Sequence, residues 1–211
     1  LKAVKIFAFA LMIFTLAACP SYAGLSHEQA RRVWNKVAAP TGLTGLPFSI
    51  KNEEAPNAWV TNGQSVTVTT GLLDLLDSES ELYAVFAHEA GHVKLNHHQS
   101  GANRAAGLSL AAAILGNILG DGLAGAAVNV GANLVNSGWS REQEIAADDY
   151  AVELAHAQGE DPVGMYMAIK KLSSVSKTQP SGFNSHPPDD RRMLHIKNKI
   201  LELEPDAVIP E

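Results

Sequence analysis

Polar and apolar positions change period several times along this chain, and each change marks an element. After Ser26, a residue suited to cap a helix, the apolar residues Ala30, Val33, Trp34 and Val37 recur at helical spacing. That spacing predicts a helix to about Ala38 with one buried face, ended by Pro40 and Gly42. Short β-rich pieces follow at Phe48 to Lys51, Ala58 to Thr61 and Ser65 to Thr69, and Asn62-Gly63 between the last two is a hairpin signal. The alternation Val66-Thr67-Val68-Thr69 puts apolar side chains on one face. A small antiparallel sheet covered on one side is expected.

Beyond the sheet the period returns to that of helices. Ser78 and Glu81 form a capping box, with Leu82, Val85 and Phe86 behind it, which predicts a helix from about Glu79 to Asn96. Between Gly101 and Gly138 the composition shifts to Ala, Gly, Leu and Asn, in two apolar stretches parted by Gly120-Asp121-Gly122. This reads as a helical hairpin of small residues, too short and too interrupted for transmembrane helices. Close-packed helices within the domain and a surface element that leans on lipid or gates a cleft both fit it. Ser140 with Gln143 opens another helix to about Ala157, and Asp161-Pro162 supplies the N-cap and first-turn proline of a further one. Residues 176 to 188 read as a Ser/Pro-rich loop, and a last helix, about Asp189 to Leu203, precedes an acidic tail expected to be loose.

The leading segment changes the picture of where the protein works. Lys2 and Lys5 form a charged start before the apolar run Ile6 to Ala18, the pattern of an export signal over residues 1–23. Leu16-Ala17-Ala18-Cys19 has the form of a bacterial lipobox, while Ser21-Tyr22-Ala23 before Gly24 also suits an ordinary signal peptidase. The lipobox is favoured, since it gives Cys19, the only cysteine of the chain, a use as a lipid carrier. Two or more acyl chains would anchor the protein to a membrane without crossing it. Residues 24–211 are then long enough for one catalytic domain with a real core. A net charge of -6 without a Lys/Arg cluster argues against nucleic acid and anionic lipid as partners.

The chemistry is concentrated at His88-Glu89-Ala90-Gly91-His92. This H-E-x-x-H pattern on a helix sets two imidazoles one turn apart on one face, aimed at a common metal, with Glu89 about 100° round the helix. Two surface histidines are the plain alternative, but the preceding run Ala84-Val85-Phe86-Ala87 places the motif at the wall of the core. A catalytic zinc needs a third protein ligand and keeps its fourth position for water. His98 is a weak candidate: Leu95 occupies the place where a turning glycine would be needed, and on a continuing helix His98 points about 120° away from His92. His97 and His98 are read as cations near a helix C-terminus. Glu144, on a separate helix, is the better candidate, with Asp148 four residues on and on the same face to receive a ligand histidine's free N–H. Taken alone, Glu-x-x-x-Asp is more often a solvated helix face, and Arg141 and Glu142 belong to such a face.

Three ordered islands lift that ambiguity. His88-Glu89-Ala90-Gly91-His92, then Ser140 to Asp148, then Ser185-His186-Pro187-Pro188 resemble the gluzincin zinc metallopeptidases of the HtpX, CAAX prenyl endopeptidase, BepA and LoiP family (metallopeptidase family forty-eight). The similarity spans about Ser26 to Leu203, and Leu134-Val135-Asn136-Ser137 leading to Asp148-Asp149-Tyr150 looks most like the LoiP-like branch of outer-membrane lipoproteins. The resemblance implies one zinc held by His88, His92 and Glu144, and places His186 and Arg192 near the cleft. His186 would donate to the oxyanion of the reaction, a contact worth about 3 kcal/mol of barrier. Arg192 would pair with a carboxylate to fix its loop. It further implies that Asn57-Ala58-Trp59-Val60 borders the cleft, where an exposed edge would take an extended peptide through main-chain hydrogen bonds.

The expected protein is therefore an α+β zincin-like fold, mostly helical, with a small antiparallel sheet at the rim of the cleft. Glu89 would be the general base and then acid in a metalloendopeptidase acting on unfolded or misassembled envelope proteins, exported to the periplasm and anchored as a lipoprotein, with the outer membrane favoured. The rival is a zinc-bearing, chaperone-like assembly factor with little proteolysis. An exopeptidase would need a group that captures a chain terminus, and none is visible. Mass spectrometry of the mature protein is expected to find a lipidated N-terminus at Cys19; an unmodified start at Gly24 would make it a freely secreted enzyme.

Overall fold

A computed structural model describes residues 24–61, 63–97, 139–176, 186 and 189–210. The export signal with Cys19, the Gly/Ala-rich segment 101–138, His98 and most of the 176–188 loop lie outside the described residues. Helix α1 (His27–Thr41) begins at a full capping box, in which Ser26 and Gln29 satisfy each other's backbone donors. Ala30, Val33, Trp34, Val37 and Ala38 form its buried stripe. It runs past the expected end because Pro40 lies in the last turn on the exposed side, where the carbonyl it leaves unpaired faces water. Gly42, at φ 71, closes the helix in the left-handed conformation.

Three strands follow: β1 (Phe48–Lys51), β2 (Ala58–Thr61) and β3 (Ser65–Thr69). Gly63 adopts φ 68 and Gln64 N–H bonds Thr61 C=O at 2.7 Å, so the hairpin between β2 and β3 forms as its sequence demands. The sheet is mixed rather than wholly antiparallel. Its order is β1-β3-β2, with β3 antiparallel to β2 and parallel to β1. The hairpin pins β2 to one side of β3, and the segment from Asn52 to Asn57 carries the chain across, leaving β1 on the other side in the same direction. Ala58, Val60, Val66 and Val68 supply the covered face.

A short helix that the periodicity does not predict, α2 (Thr70–Leu75), grows directly from β3, capped by Thr69 whose Oγ1 accepts from Leu72 N–H. Six residues with a glycine at the second position carry too little pattern for detection. Gly71 is needed there, because its N–H bonds Glu53 C=O and a Cβ on it would sit 1.9 Å from Glu54 O.

Helix α3 (Glu79–Lys94) is the axis of the fold. Ser78 caps it, and Glu81 reaches back to Asp77 N–H instead of the cap's own. Every residue from Glu81 to His92 is buried, as for a helix surrounded by other elements. Trp34 and Phe48 meet Phe86 edge-on at 5.8 Å each, tying α1 and the sheet to it. On the opposite side lie α4 (Arg141–Gln158), α5 (Val163–Ser176) and α6 (Asp190–Leu203). Small residues make this approach close: a Cβ on Gly91 would meet Tyr150 Cβ at 3.2 Å, and one on Gly164 would meet Ser80 O at 2.4 Å. The tail after α6 is docked, not loose. Ala207 and Ile209 pack on the core, and Lys170 Nζ bonds Pro210 C=O at 3.4 Å.

Gly71→Ala is expected to destabilise the fold by about 1–3 kcal/mol through backbone displacement. Gly45→Ala, where a Cβ meets nothing within 4 Å, serves as the control in the same urea titration. Equal midpoints would show that the β1–β2 connection yields freely.

Candidate metal centre

The motif residues owe their positions to α3. One turn separates His88 from His92, and both are buried, so they are not surface histidines. Their rings lie 4.7 Å apart between centroids and their Nε2 atoms 3.1 Å apart, facing the same space. Helix α4 reaches that space from the other side. Its capping box, Ser140 with Gln143, sets the first turn, and Glu144 projects from it. Glu144 Oε1 lies 3.3 Å from His92 Nε2, and Oε2 lies 3.6 Å from His88 Nε2. His186 completes the group, with Nδ1 3.0 Å from Glu144 Oε1 and 3.2 Å from His88 Nε2.

His88, His92, Glu144 and His186 thus offer one buried donor atom each, all within 4.8 Å of one another, and could hold a metal ion. A tetrahedral zinc with bonds of about 2.0–2.1 Å places its donors about 3.3 Å apart, which these separations match. The sequence matches peptidase family M48 over residues 25–200. The chain belongs to peptidase family M48. It is 34% identical to the metalloprotease LoiP of Escherichia coli (strain K12) over 169 residues, 77% of this chain and 67% of that protein. It is 32% identical to the metalloprotease YcaL of the same strain over 176 residues, 78% of this chain and 68% of that one. A beta-barrel assembly-enhancing protease of Yersinia pestis is 26% identical over 201 residues, which make up 87% of this chain but 41% of that protein. This M48 peptidase is a zinc metalloprotease, and its buried nitrogen and oxygen donors suit that ion.

Beneath the donors lies a second layer of charge. His88 Nδ1 is 2.9 Å from Asp148 Oδ1. Arg192, on α6, holds both Asp148 oxygens at 2.7 and 2.8 Å and reaches Glu144 Oε2 at 2.7 Å. Its Nη1 also donates to His186 C=O at 3.2 Å, fixing the segment that carries that histidine. The pairing sets the protonation of the metal-free site. Burial works to raise the Asp148 carboxyl, yet the Arg192 charge and the His88 contact hold it below its ordinary value. Burial likewise works against the Glu144 carboxylate, but hydrogen bonds from His186 and His92 outweigh it and keep the group well below the usual range. His92 is pushed down to about 2 by burial, against the pull of Glu144, so its imidazole stays neutral. Burial raises the Glu89 carboxyl, partly offset by His186 and His88.

Of the described residues singled out in the sequence, His88, His92, Glu144 and His186 converge, and Glu89, Asp148 and Arg192 lie against them. Glu89 lies alongside the donors, with Oε1 3.6 Å from His186 Nε2, and accepts a hydrogen bond from the Val60 backbone. Strand β2 is an edge of the sheet among the described residues. Because Thr69 N–H bonds Asn57 C=O and Val66 N–H turns toward Pro47 C=O, Ala58 and Val60 direct their main-chain groups away from β3. Trp59 is half-buried on the sheet's outer face, with Lys51 Nζ 5.9 Å over its ring. Arg141 and Glu142 are exposed as expected, and Arg141 pairs with Asp189.

The reading of His97 as a terminal cation is corrected. α3 ends at Lys94, Asn96 turns the chain at φ 54, and His97 folds back, buried, with Nδ1 2.8 Å from His92 Nδ1. Asparagine supplies the left-handed conformation for which a glycine was sought at position 95. Trp139, which the sequence reading passed over, stacks on the His92 ring at 4.6 Å and 21°. Its position two residues before a helix start gave no signal of that contact.

Arg192→Met is expected to lower the stability of the metal-free protein by about 3–5 kcal/mol, since it leaves two buried carboxylates without their guanidinium. Urea unfolding in the presence of a chelator measures this. A change below about 1 kcal/mol would mean that water, not Arg192, compensates them.

Proposed function

We propose that this M48 peptidase is an endopeptidase that cleaves internal bonds of unfolded or misassembled envelope polypeptides. The reading rests on one juxtaposition: His88, His92 and Glu144 converge beside Glu89, whose carboxylate touches the backbone of an open-edged strand. In this reading His88, His92 and Glu144 are the protein ligands. Zinc, when bound there, supplies a Lewis acid that polarises the scissile carbonyl and makes water a stronger acid. Glu89 takes the proton of the attacking water and delivers it to the leaving amine, so no covalent acyl-enzyme forms. The burial that raises its carboxyl supports that assignment, because a stronger base than an ordinary glutamate also makes the later proton return possible. His186, facing Glu89 across the donor group, donates to the oxyanion. Asp148 and Arg192 orient His88 and Glu144 without touching substrate.

Asn57, Ala58, Trp59 and Val60 form the substrate strand in this scheme. Ala58 and Val60 turn main-chain groups away from β3, Val60 N–H toward Glu89, and a client strand pairing along this edge would be taken extended rather than folded. That preference supports unfolded clients. The similarity to a protease named for β-barrel assembly supports an envelope setting. The enzyme would be a single domain after residue 23, exported to the periplasm and held at the outer membrane by lipid on Cys19. No helix among the described residues is long and apolar enough to cross a membrane.

The test uses casein and a denatured outer-membrane protein, with metal content measured in parallel. Wild type is expected to carry one zinc per chain and cut internally. Glu89→Gln should retain zinc and lose about 10²–10⁴-fold in rate, while Glu144→Ala should lose the metal. Client binding without cleavage by wild type would instead indicate the chaperone-like factor.

A further inference from the structure

The two motif histidines have unlike supports. His88 Nδ1 faces a carboxylate, Asp148, at 2.9 Å, whereas His92 Nδ1 faces another imidazole, His97 Nδ1, at 2.8 Å. Two ring nitrogens at that separation share one proton, since two N–H groups would collide and two lone pairs would repel. His92 Nε2 points the other way, into the donor group, 3.1 Å from His88 Nε2 and 3.3 Å from Glu144 Oε1. A neutral imidazole that gives its Nε2 lone pair to a metal carries its hydrogen on Nδ1. His92 must then donate, and His97 must accept at Nδ1 and carry its own hydrogen on Nε2.

We infer that His97 is the positioning residue of His92, fixing its tautomer and ring plane for the metal as Asp148 does for His88. The inference rests on the reading of His92 as a ligand. The fold is built to hold His97 in place. Asn96 takes the left-handed turn that returns the chain onto the end of α3, and His97 is left 7% exposed. Its carbonyl receives Gln143 Nε2 at 3.5 Å, and Gln143 is the capping-box residue immediately before Glu144. One short strap therefore joins the second histidine of the motif to the helix start that carries the acidic donor. Trp139 lies flat on the His92 ring, so rotation about its outer bond is blocked on a face while His97 holds an edge. A neutral acceptor also makes His92 a weaker electron donor than His88, whose partner is a carboxylate held by Arg192.

Nitrogen NMR of the zinc-loaded, ¹⁵N-histidine-labelled enzyme tests this without any substitution. The expected spectrum shows His92 protonated at Nδ1 and His97 protonated at Nε2 alone; a proton on His97 Nδ1 overturns the inference. Two variants extend the test. His97→Phe keeps the ring and removes both nitrogens, whereas His97→Asn restores an acceptor near the place of Nδ1. Zinc affinity, measured by competition with a chromogenic chelator, should fall about 10–100-fold in the first and largely recover in the second. The visible bands of the cobalt-substituted enzyme should shift in the same order. Wild-type affinity and spectrum in His97→Phe, or equal losses in two folded variants, would leave His97 a packing residue and defeat the proposal. If neither variant folds, the nitrogen spectrum decides. Failure of the ligand reading has its own mark: wild type itself would take up no stoichiometric zinc.

Discussion

A bidentate ion pair buried between two helices, Arg192 with Asp148, holds the rest of the site in place. Neither side chain is more than 1% exposed, so each would be expelled from the interior without the other. Together they lock α6 to α4 and hold a carboxylate oxygen 2.9 Å from His88 Nδ1, and the remaining arm of Arg192 reaches Glu144. Glu144 and Asp148 share the one guanidinium, and nitrogens of His88, His92 and His186 lie beside them. Carboxylate and imidazole donors gathered in this way suit a divalent cation. The arrangement is therefore of value chiefly with metal bound, and its stability without metal is limited by the same charges that attract the ion.

Rigidity comes from the helix that carries the motif. α3 is covered on all sides over three turns, and Gly91 lets α4 come close to its backbone at Ala147 and Tyr150. Ligand positions built on such an element cannot drift far, because neighbouring side chains already fill the space. By contrast, His186 lies outside the helices, with its carbonyl accepting from Arg192 and its imidazole against the donors. The site thus combines two donor histidines on a rigid axis with a third whose place depends on the charge layer beneath it.

Local physics made much of this readable. The caps at Ser26, Ser78 and Ser140 and the turn at Gly63 act through partners within four residues, and all formed, although at Ser78 the acidic partner Glu81 bonds Asp77 N–H rather than closing the box. His88, Glu89 and His92 were legible for the same reason, since helix geometry alone relates them. Glu144, Asp148, His186 and Arg192 were not. Glu144 and Asp148 stood out only as a pair whose spacing equally suits a solvated helix face, and the family resemblance, not periodicity, drew out His186 and Arg192.

What the order of residues settled on its own was most of the described elements, α2 apart, and the face of α3 that carries the imidazoles, because those depend on contacts close along the chain. Three matters awaited the packed molecule: the parallel docking of β1, the burial of Glu144 against His92, and the return of His97 onto the motif. Each depends on groups distant in sequence or on a single turn at Asn96 whose left-handed conformation is permitted but not required by its side chain. Where local preference leaves two conformations nearly equal, burial and hydrogen bonding elsewhere in the fold choose between them, and here they choose the one that completes the site.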